Sequence, residues 1–270
     1  MEESNLDFLE KVKSKNKRIL INTFIRFFIV SLIVIFLSIY LFTPLSSVDN
    51  MVLHGNIFFS KDDICEILNY NTPKKKSLYS VNKNKTEELL KNYPFIDEAK
   101  VNVNPFQIEI NLEENAPSCK YNEEIYSSKG NIISNELLNN SLAETYLNKA
   151  LNKLAYFIST PIECDNFASY MKIISKVNSE EKHIDYVENK KNNLIIYYIN
   201  SNLNYFRVDL KYNSDYSIDY YVNFLLRKDF KDNCILISNT QEVKKQTLNG
   251  QDIFYKDVII NEEGHIIGRF

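Results

Sequence analysis

The stretch AKVNVNPFQIEINLEENAP, Ala99 to Pro117, decides how the first folded part of this chain is built. Ala99, Val101 and Val103 point one way, and Lys100, Asn102 and Asn104 the other. Asn104-Pro105 makes a turn, after which Phe106, Ile108, Ile110 and Leu112 alternate with Gln107, Glu109 and Asn111. A period of two means paired strands with one wet face and one apolar face, and the apolar face needs a cover. The cover lies upstream. Ser60 is a candidate N-cap, with Ile64, Ile67 and Leu68 at helical spacing behind it. A second helix is expected from Asn84, with Glu87 closing a capping box and Leu89 and Leu90 buried. It stops near Asn92–Tyr93, because Pro94 disfavours helical geometry in the residue before it. Val48, Met51 and Leu53 form a short strand ended by Gly55-Asn56, so the order is strand, helix, helix, strand, strand.

Further out lies the run Ile19 to Phe42, 24 residues interrupted only by Arg26. As a helix it spans about 36 Å against a hydrocarbon core of roughly 30 Å, with Arg26 reaching back to the nearer interface. Lys11, Lys13, Lys15, Lys17 and Arg18 crowd its N-terminal flank, and no Lys or Arg follows it until Lys61. The positive-inside rule therefore puts residues 1–18 in the cytoplasm as a basic tail and everything after about residue 45 outside. A cleaved signal peptide would have a shorter apolar region and an Ala-x-Ala-like site, whereas Thr43-Pro44-Leu45-Ser46-Ser47 has no alanine; residues 19–42 read as an uncleaved anchor.

The segment behind this anchor resembles the POTRA domain of the FtsQ/DivIB proteins of bacterial cell division. The matching residues are Gly55-Asn56, Leu90 with Pro94-x-Ile96, Ala99-x-Val101, Pro105, and the tail Ile108-x-Ile110-x-Leu112-x-Glu114-x-x-Pro117. The expected fold class is α+β: a transmembrane helix, a POTRA module over 46–117, and over 118–238 the mixed α/β module called the β-domain in that family, with a largely antiparallel sheet. In that second module Glu124–Ser127 and Ile132–Ile133 flank a Lys129-Gly130-Asn131 turn, and Ile162 to Val177 reads as a helix. Alternation returns in His183–Val187, Leu194–Ile199 and Tyr205–Leu210, followed by a helix at about Asp215–Arg227 and the strand Cys234-Ile235-Leu236-Ile237. Residues 134–155 are ambiguous, and 239–270 is either a hairpin pairing Phe254–Ile260 with the sheet or a loosely ordered tail.

Composition narrows function. The chain has 270 residues, a net charge of −3, 5 glycines, 3 histidines and no tryptophan. Such a balance gives no general attraction to nucleic acid, and so few glycines argue against a Gly-rich phosphate cradle. His54, His183 and His265 stand in no metal-binding or catalytic spacing, and the acidic pairs fall at helix starts and turns. Cys65, Cys119, Cys164 and Cys234 match no zinc spacing and no dense disulfide framework; they read as small buried hydrophobes, with pairing left open. Lys74-Lys75-Lys76 reads as a solvated bend, with a weak contact to anionic wall polymers or lipid headgroups the alternative.

The expectation is therefore of no enzyme, no catalytic residues, no cofactor and no metal. The resemblance implies a septal, single-pass scaffold of the division complex that binds small bitopic proteins of the FtsL and DivIC (FtsB) types. Its binding surface would lie near the last strand of the β-domain, at Ile235, Leu236, Ile237 and the following Val243, where an unpaired sheet edge can accept a partner strand. For Ile235 and Ile237 the competing role is ordinary core packing. The other classes weighed are a secretion-related POTRA receptor and an anchored cell-wall enzyme; neither a second POTRA module or barrel nor a convergent catalytic group is legible in residues 118–270.

Overall fold

The computed structural model describes residues 2–42, 50–70, 78–161, 166–190, 193–201, 203–227, 243–260 and 266–268. Helix α1, Glu2–Phe42, is continuous through the basic flank and the apolar run. Its apolar window is Lys17–Tyr40, 24 residues of mean hydropathy 2.5, none of them buried. Among the described residues it is the one helix long and apolar enough to cross a membrane. Its backbone polar groups are satisfied within the helix, and the Thr23 hydroxyl donates back to the Ile19 carbonyl at 2.9 Å, as a lipid environment requires.

The first folded module is a three-stranded sheet under two helices. Strand β1 (Met51–His54) runs parallel to the central β3 (Ile108–Glu114), and β2 (Ile96–Val103) pairs with β3 antiparallel, giving the order β1-β3-β2. Helix α2 (Lys61–Ile67) starts at Ser60, whose side chain accepts from the Asp63 amide while Asp63 reaches back to the Ser60 amide. Helix α3 (Lys83–Lys91) completes the cover. Ala99, Val101, Ile108, Ile110 and Leu112 meet Ile64, Leu68 and Leu90 in one core. Gly55, at φ +75°, makes the turn after β1, and a Cβ there would stand 2.3 Å from the Leu112 carbonyl oxygen.

Three local expectations are corrected. The capping box belongs to α2; α3 is capped by Asn82, which accepts from the Lys85 amide, while Glu87 turns to the sheet and accepts from the Val101 amide at 2.8 Å. Leu89 is exposed, because Thr86 and Leu90, four apart, take the buried face of this short helix. Phe106 lies outside the apolar face. The Asn104 side chain accepts from the Phe106 and Gln107 amides, so the turn holds Phe106 out and the ladder begins at Ile108.

The second sheet has nine strands, ordered β10-β11-β9-β8-β7-β6-β4-β5, with β12 pairing β11. These are β4 (Pro117–Tyr121), β5 (Glu124–Ser127), β6 (Ala155–Phe157), β7 (Ile184–Lys190), β8 (Asn193–Ile199), β9 (Tyr205–Leu210), β10 (Lys244–Leu248), β11 (Gln251–Ile260) and β12 (Ile266–Gly268). The sheet is mostly antiparallel and curled, with parallel pairs β4–β6, β6–β7 and β9–β11. Helices α6 (Phe167–Val177) and α7 (Ile218–Leu225) cover one face, packing on Leu194, Ile196 and Tyr198. On the other face Ile195 and Tyr197 meet Leu248 and Ile253.

Strand β4 is not anticipated by the sequence reading, and it, rather than the segment after Gly130, is the main partner of β5; Ile132 makes only a single bridge to Tyr126. Pro117 opens β4, a position that tolerates a missing amide donor. Residues 135–151 resolve into α4 (Asn135–Leu138), a 3-10 turn and α5 (Glu144–Leu151). The two helices expected near 162–177 and 215–227 are shorter, and of the alternatives for the tail the hairpin is realised by β10 and β11. The expected strand Cys234–Ile237 lies outside the described residues.

One buried carboxylate ties the modules together. Glu114, at the end of β3, is 2% exposed and accepts from the amides of Ile57 (2.6 Å), Phe58 (2.9 Å) and Phe59 (3.3 Å). The Tyr146 hydroxyl of α5 donates to it at 3.2 Å, and the Tyr146 ring stacks on Phe59 and Phe95. Burial pushes the Glu114 pKa up, and its four donors pull against that shift. Lys149 of α5 adds an ion pair with Asp63 at 2.8 Å. Ala143, Tyr146, Leu147 and Ala150 thus share a core with the first module.

Candidate partner-binding edge

A sheet can recruit another chain only where backbone groups stay unpaired. On β2 the Val101 amide is taken by Glu87. On β5 the edge is folded under its own chain: the Ser127 amide donates to the Asn131 carbonyl and the Ile133 amide to the Ile125 carbonyl, both at 2.8 Å. Strand β10 ends the long sheet on the other side, and among the described residues no strand pairs with its outer side.

The orientation of that edge follows from its turn. Asn249 (φ 48°) and Gly250 (φ 79°) link Leu248 to Gln251, and positive φ at both positions is the geometry of a two-residue hairpin turn. Leu248 and Gln251 are then a hydrogen-bonded pair. By alternation Gln246 and Lys244 direct their backbone groups to β11, whereas Lys245 and Thr247 direct theirs to the open side.

The side chains hold the strand in place from within. Gln246 accepts from the Tyr197 hydroxyl at 2.7 Å, and Leu248 is buried beside Ile253. Asp257 lies between Lys244 and Arg207, the latter at 3.1 Å. Burial lowers the Arg207 pKa, but its bond to Asp257 and its contact with Tyr197 more than reverse that, and the net shift is upward. Burial, then the Glu188 charge, pushes the Tyr197 hydroxyl up to about 12, so it remains a donor. The outward face carries Val243, 55% exposed, and Phe254, 57% exposed, with Lys245 paired to Asp252 at 2.6 Å. An edge strand whose outward amides meet no other strand among the described residues, with two exposed apolar side chains beside it, is what backbone pairing plus side-chain selection requires.

Of the four residues expected to bind a partner, Val243 stands immediately before β10; Ile235, Leu236 and Ile237 lie outside the described residues. Sequence reasoning missed Lys245, Thr247 and Phe254. The signal was present, since Asn249-Gly250 is the strongest short-range hairpin signal and stands between Thr247-Leu248 and Ile253-Phe254. Among the described residues no three His, Cys, Asp or Glu side chains gather as a metal site. His183 is buried, stacks on Tyr198 and contacts the Ile199 carbonyl at 3.3 Å, a structural arrangement.

Residues 46–115 match the family model described as POTRA domain, FtsQ-type. No curated protein matches the chain. The first folded module is therefore an FtsQ-type POTRA domain, and with the N-terminal apolar helix it fits an FtsQ/DivIB-family protein.

Proposed function

We propose that this chain is a non-enzymatic, single-pass scaffold of the bacterial division complex. Its N-terminal tail lies in the cytoplasm and its two folded modules outside, at the septum, where they hold small bitopic proteins of the FtsL and DivIC or FtsB type. One observation carries the reading: an FtsQ-type POTRA domain directly behind a helix long enough to span a bilayer. POTRA domains mediate protein–protein interaction, and β10 supplies an edge on which a partner segment can add a strand. The basic residues before the apolar run, with none from Thr43 to Ser60, support the orientation.

The test is affinity purification of the full chain from membranes of dividing cells, beside a fluorescent fusion. The reading expects recovery of small bitopic division proteins and a midcell band. A uniform membrane signal with no division protein recovered overturns it.

A further inference from the structure

The POTRA hairpin tip presents an aromatic ring to no core of its own. Phe106 is 61% exposed, held out by the Asn104 turn described above. Two independent observations place it beside the outer end of α1. In space, its ring lies 5.8 Å from that of Tyr40 at 80°, and the Tyr40 hydroxyl donates to the Pro105 carbonyl. In topology, Ile108 pairs with Met51 and donates to the Asn50 carbonyl at 3.0 Å, so the tip and the entry of the chain into the sheet share one end. Eight residue steps separate Phe42 from Asn50, a reach of at most about 28 Å.

Tyr40 closes the apolar window of α1, the depth at which amphipathic aromatic rings collect in membrane proteins. A ring in contact with Tyr40 lies at that same depth. We propose that Phe106 and Tyr40 together seat the POTRA hairpin tip in the headgroup layer of the bilayer, on the side of the C-terminal end of α1. The partner is the lipid surface itself. The attraction is apolar, because no Lys or Arg occurs from Val101 to Asn115 while Glu109 stands beside the tip. Seating therefore does not depend on anionic lipid. It also fixes the tilt of the POTRA domain, and hence the side from which the modules beyond it are reached.

This inference rests on α1 being a membrane span, and the experiment separates the two claims. The chain contains no tryptophan, so a single Trp reports alone. Full-length Phe106→Trp, Glu98→Trp and Phe28→Trp proteins are placed in nanodiscs of phosphatidylcholine brominated near the glycerol end of the acyl chain or near its methyl end. Glu98 is exposed on β2, six residues from Asn104. The expected result is that Phe106→Trp emits to the blue of Glu98→Trp and is quenched several-fold more strongly by the shallow bromine, with no change when phosphatidylglycerol is added. Phe28→Trp should be quenched by the deep bromine. Quenching of Phe28→Trp but not of Phe106→Trp overturns the seating and leaves the span standing; no quenching of either overturns both. A blue-shifted but unquenched Phe106→Trp means that protein covers the ring, and equal quenching at Glu98 means that the domain lies flat; each overturns the proposal. So does quenching that requires phosphatidylglycerol.

Discussion

Replacing Glu114 probes the joint between the two modules and has a magnitude that can be worked from the bonds it makes. One oxygen takes the Ile57 and Phe59 amides, the other the Phe58 amide and the Tyr146 hydroxyl. In Glu114→Gln an NH2 replaces one of these oxygens. The smaller loss comes when it replaces the second, because a tyrosine hydroxyl can rotate and accept, and then only the Phe58 amide is orphaned. A buried orphaned donor costs about 1–3 kcal/mol, which sets the expected loss for Gln. Glu114→Ala orphans all four donors and opens a cavity, and at about 1–3 kcal/mol for each donor left buried without a partner its loss should clearly exceed that of Gln. Tyr146→Phe removes one hydroxyl and should lose about 0.5–1.5 kcal/mol, less than additively with Glu114→Gln because the two share a bond. The assay is urea denaturation of the full chain in detergent, followed by circular dichroism, with limited proteolysis near residues 115–134 as a second readout. Gln as stable as wild type, or Ala no worse than Gln, would refute the claim that residues 57–59 are folded around this carboxylate.

Gly55→Ala must force a Cβ to within 2.3 Å of the Leu112 carbonyl at φ +75°, and a loss of roughly 2–4 kcal/mol in the same denaturation assay is expected from strain and overpacking together. Burial raises the Asp63 pKa, but its bonds to Lys149 and Ser60 together more than reverse that, so its folded pKa lies below 3.8; its contribution is present above that value and fades as pH falls through the folded one. Asp63→Asn should therefore lose less than about 1 kcal/mol at neutral pH, and the gap to wild type should close in acid titrations below about pH 4. Burial pushes the Cys119 thiol up to about 12 and Cys65 is also buried, so with Cys164 and Cys234 replaced by Ser the native chain should resist iodoacetamide until denatured; rapid native labelling contradicts the packing. Lys245→Pro removes an outward amide and spares the β10–β11 ladder, whereas Gln246→Pro breaks it; the first should weaken partner capture at least about tenfold with an unchanged melting curve, the second should lower the melting temperature as well.

How much was readable in advance varied with how local the cause was. The POTRA strands were legible because alternation over Ala99–Val103 and Ile108–Leu112 needs only one buried face. Asn104 pulled Phe106 out of that pattern through a side-chain bond that hydropathy does not encode. Glu87 fits a capping box as well as it fits the edge of β2, and only the fold decides that it meets Val101, fourteen residues away. Strand β4 escaped notice since Pro117-Ser118-Cys119 alternates weakly; its burial comes from α6 and from β6, whose Ala155 pairs with Cys119. In the candidate site Val243 stands immediately before β10, whose outward amides follow from the Asn249-Gly250 turn, while Ile235, Leu236 and Ile237 lie outside the described residues.

Amide hydrogen exchange of the full chain, with and without a bound bitopic division partner, reads the proposed contact at single residues. If a partner strand adds to β10, the amides of Lys245 and Thr247 should exchange quickly in the free chain and slow strongly in the complex, while Gln246, already bonded to β11, changes little. A complex that forms and leaves Lys245 and Thr247 exchanging as fast as before would contradict the account.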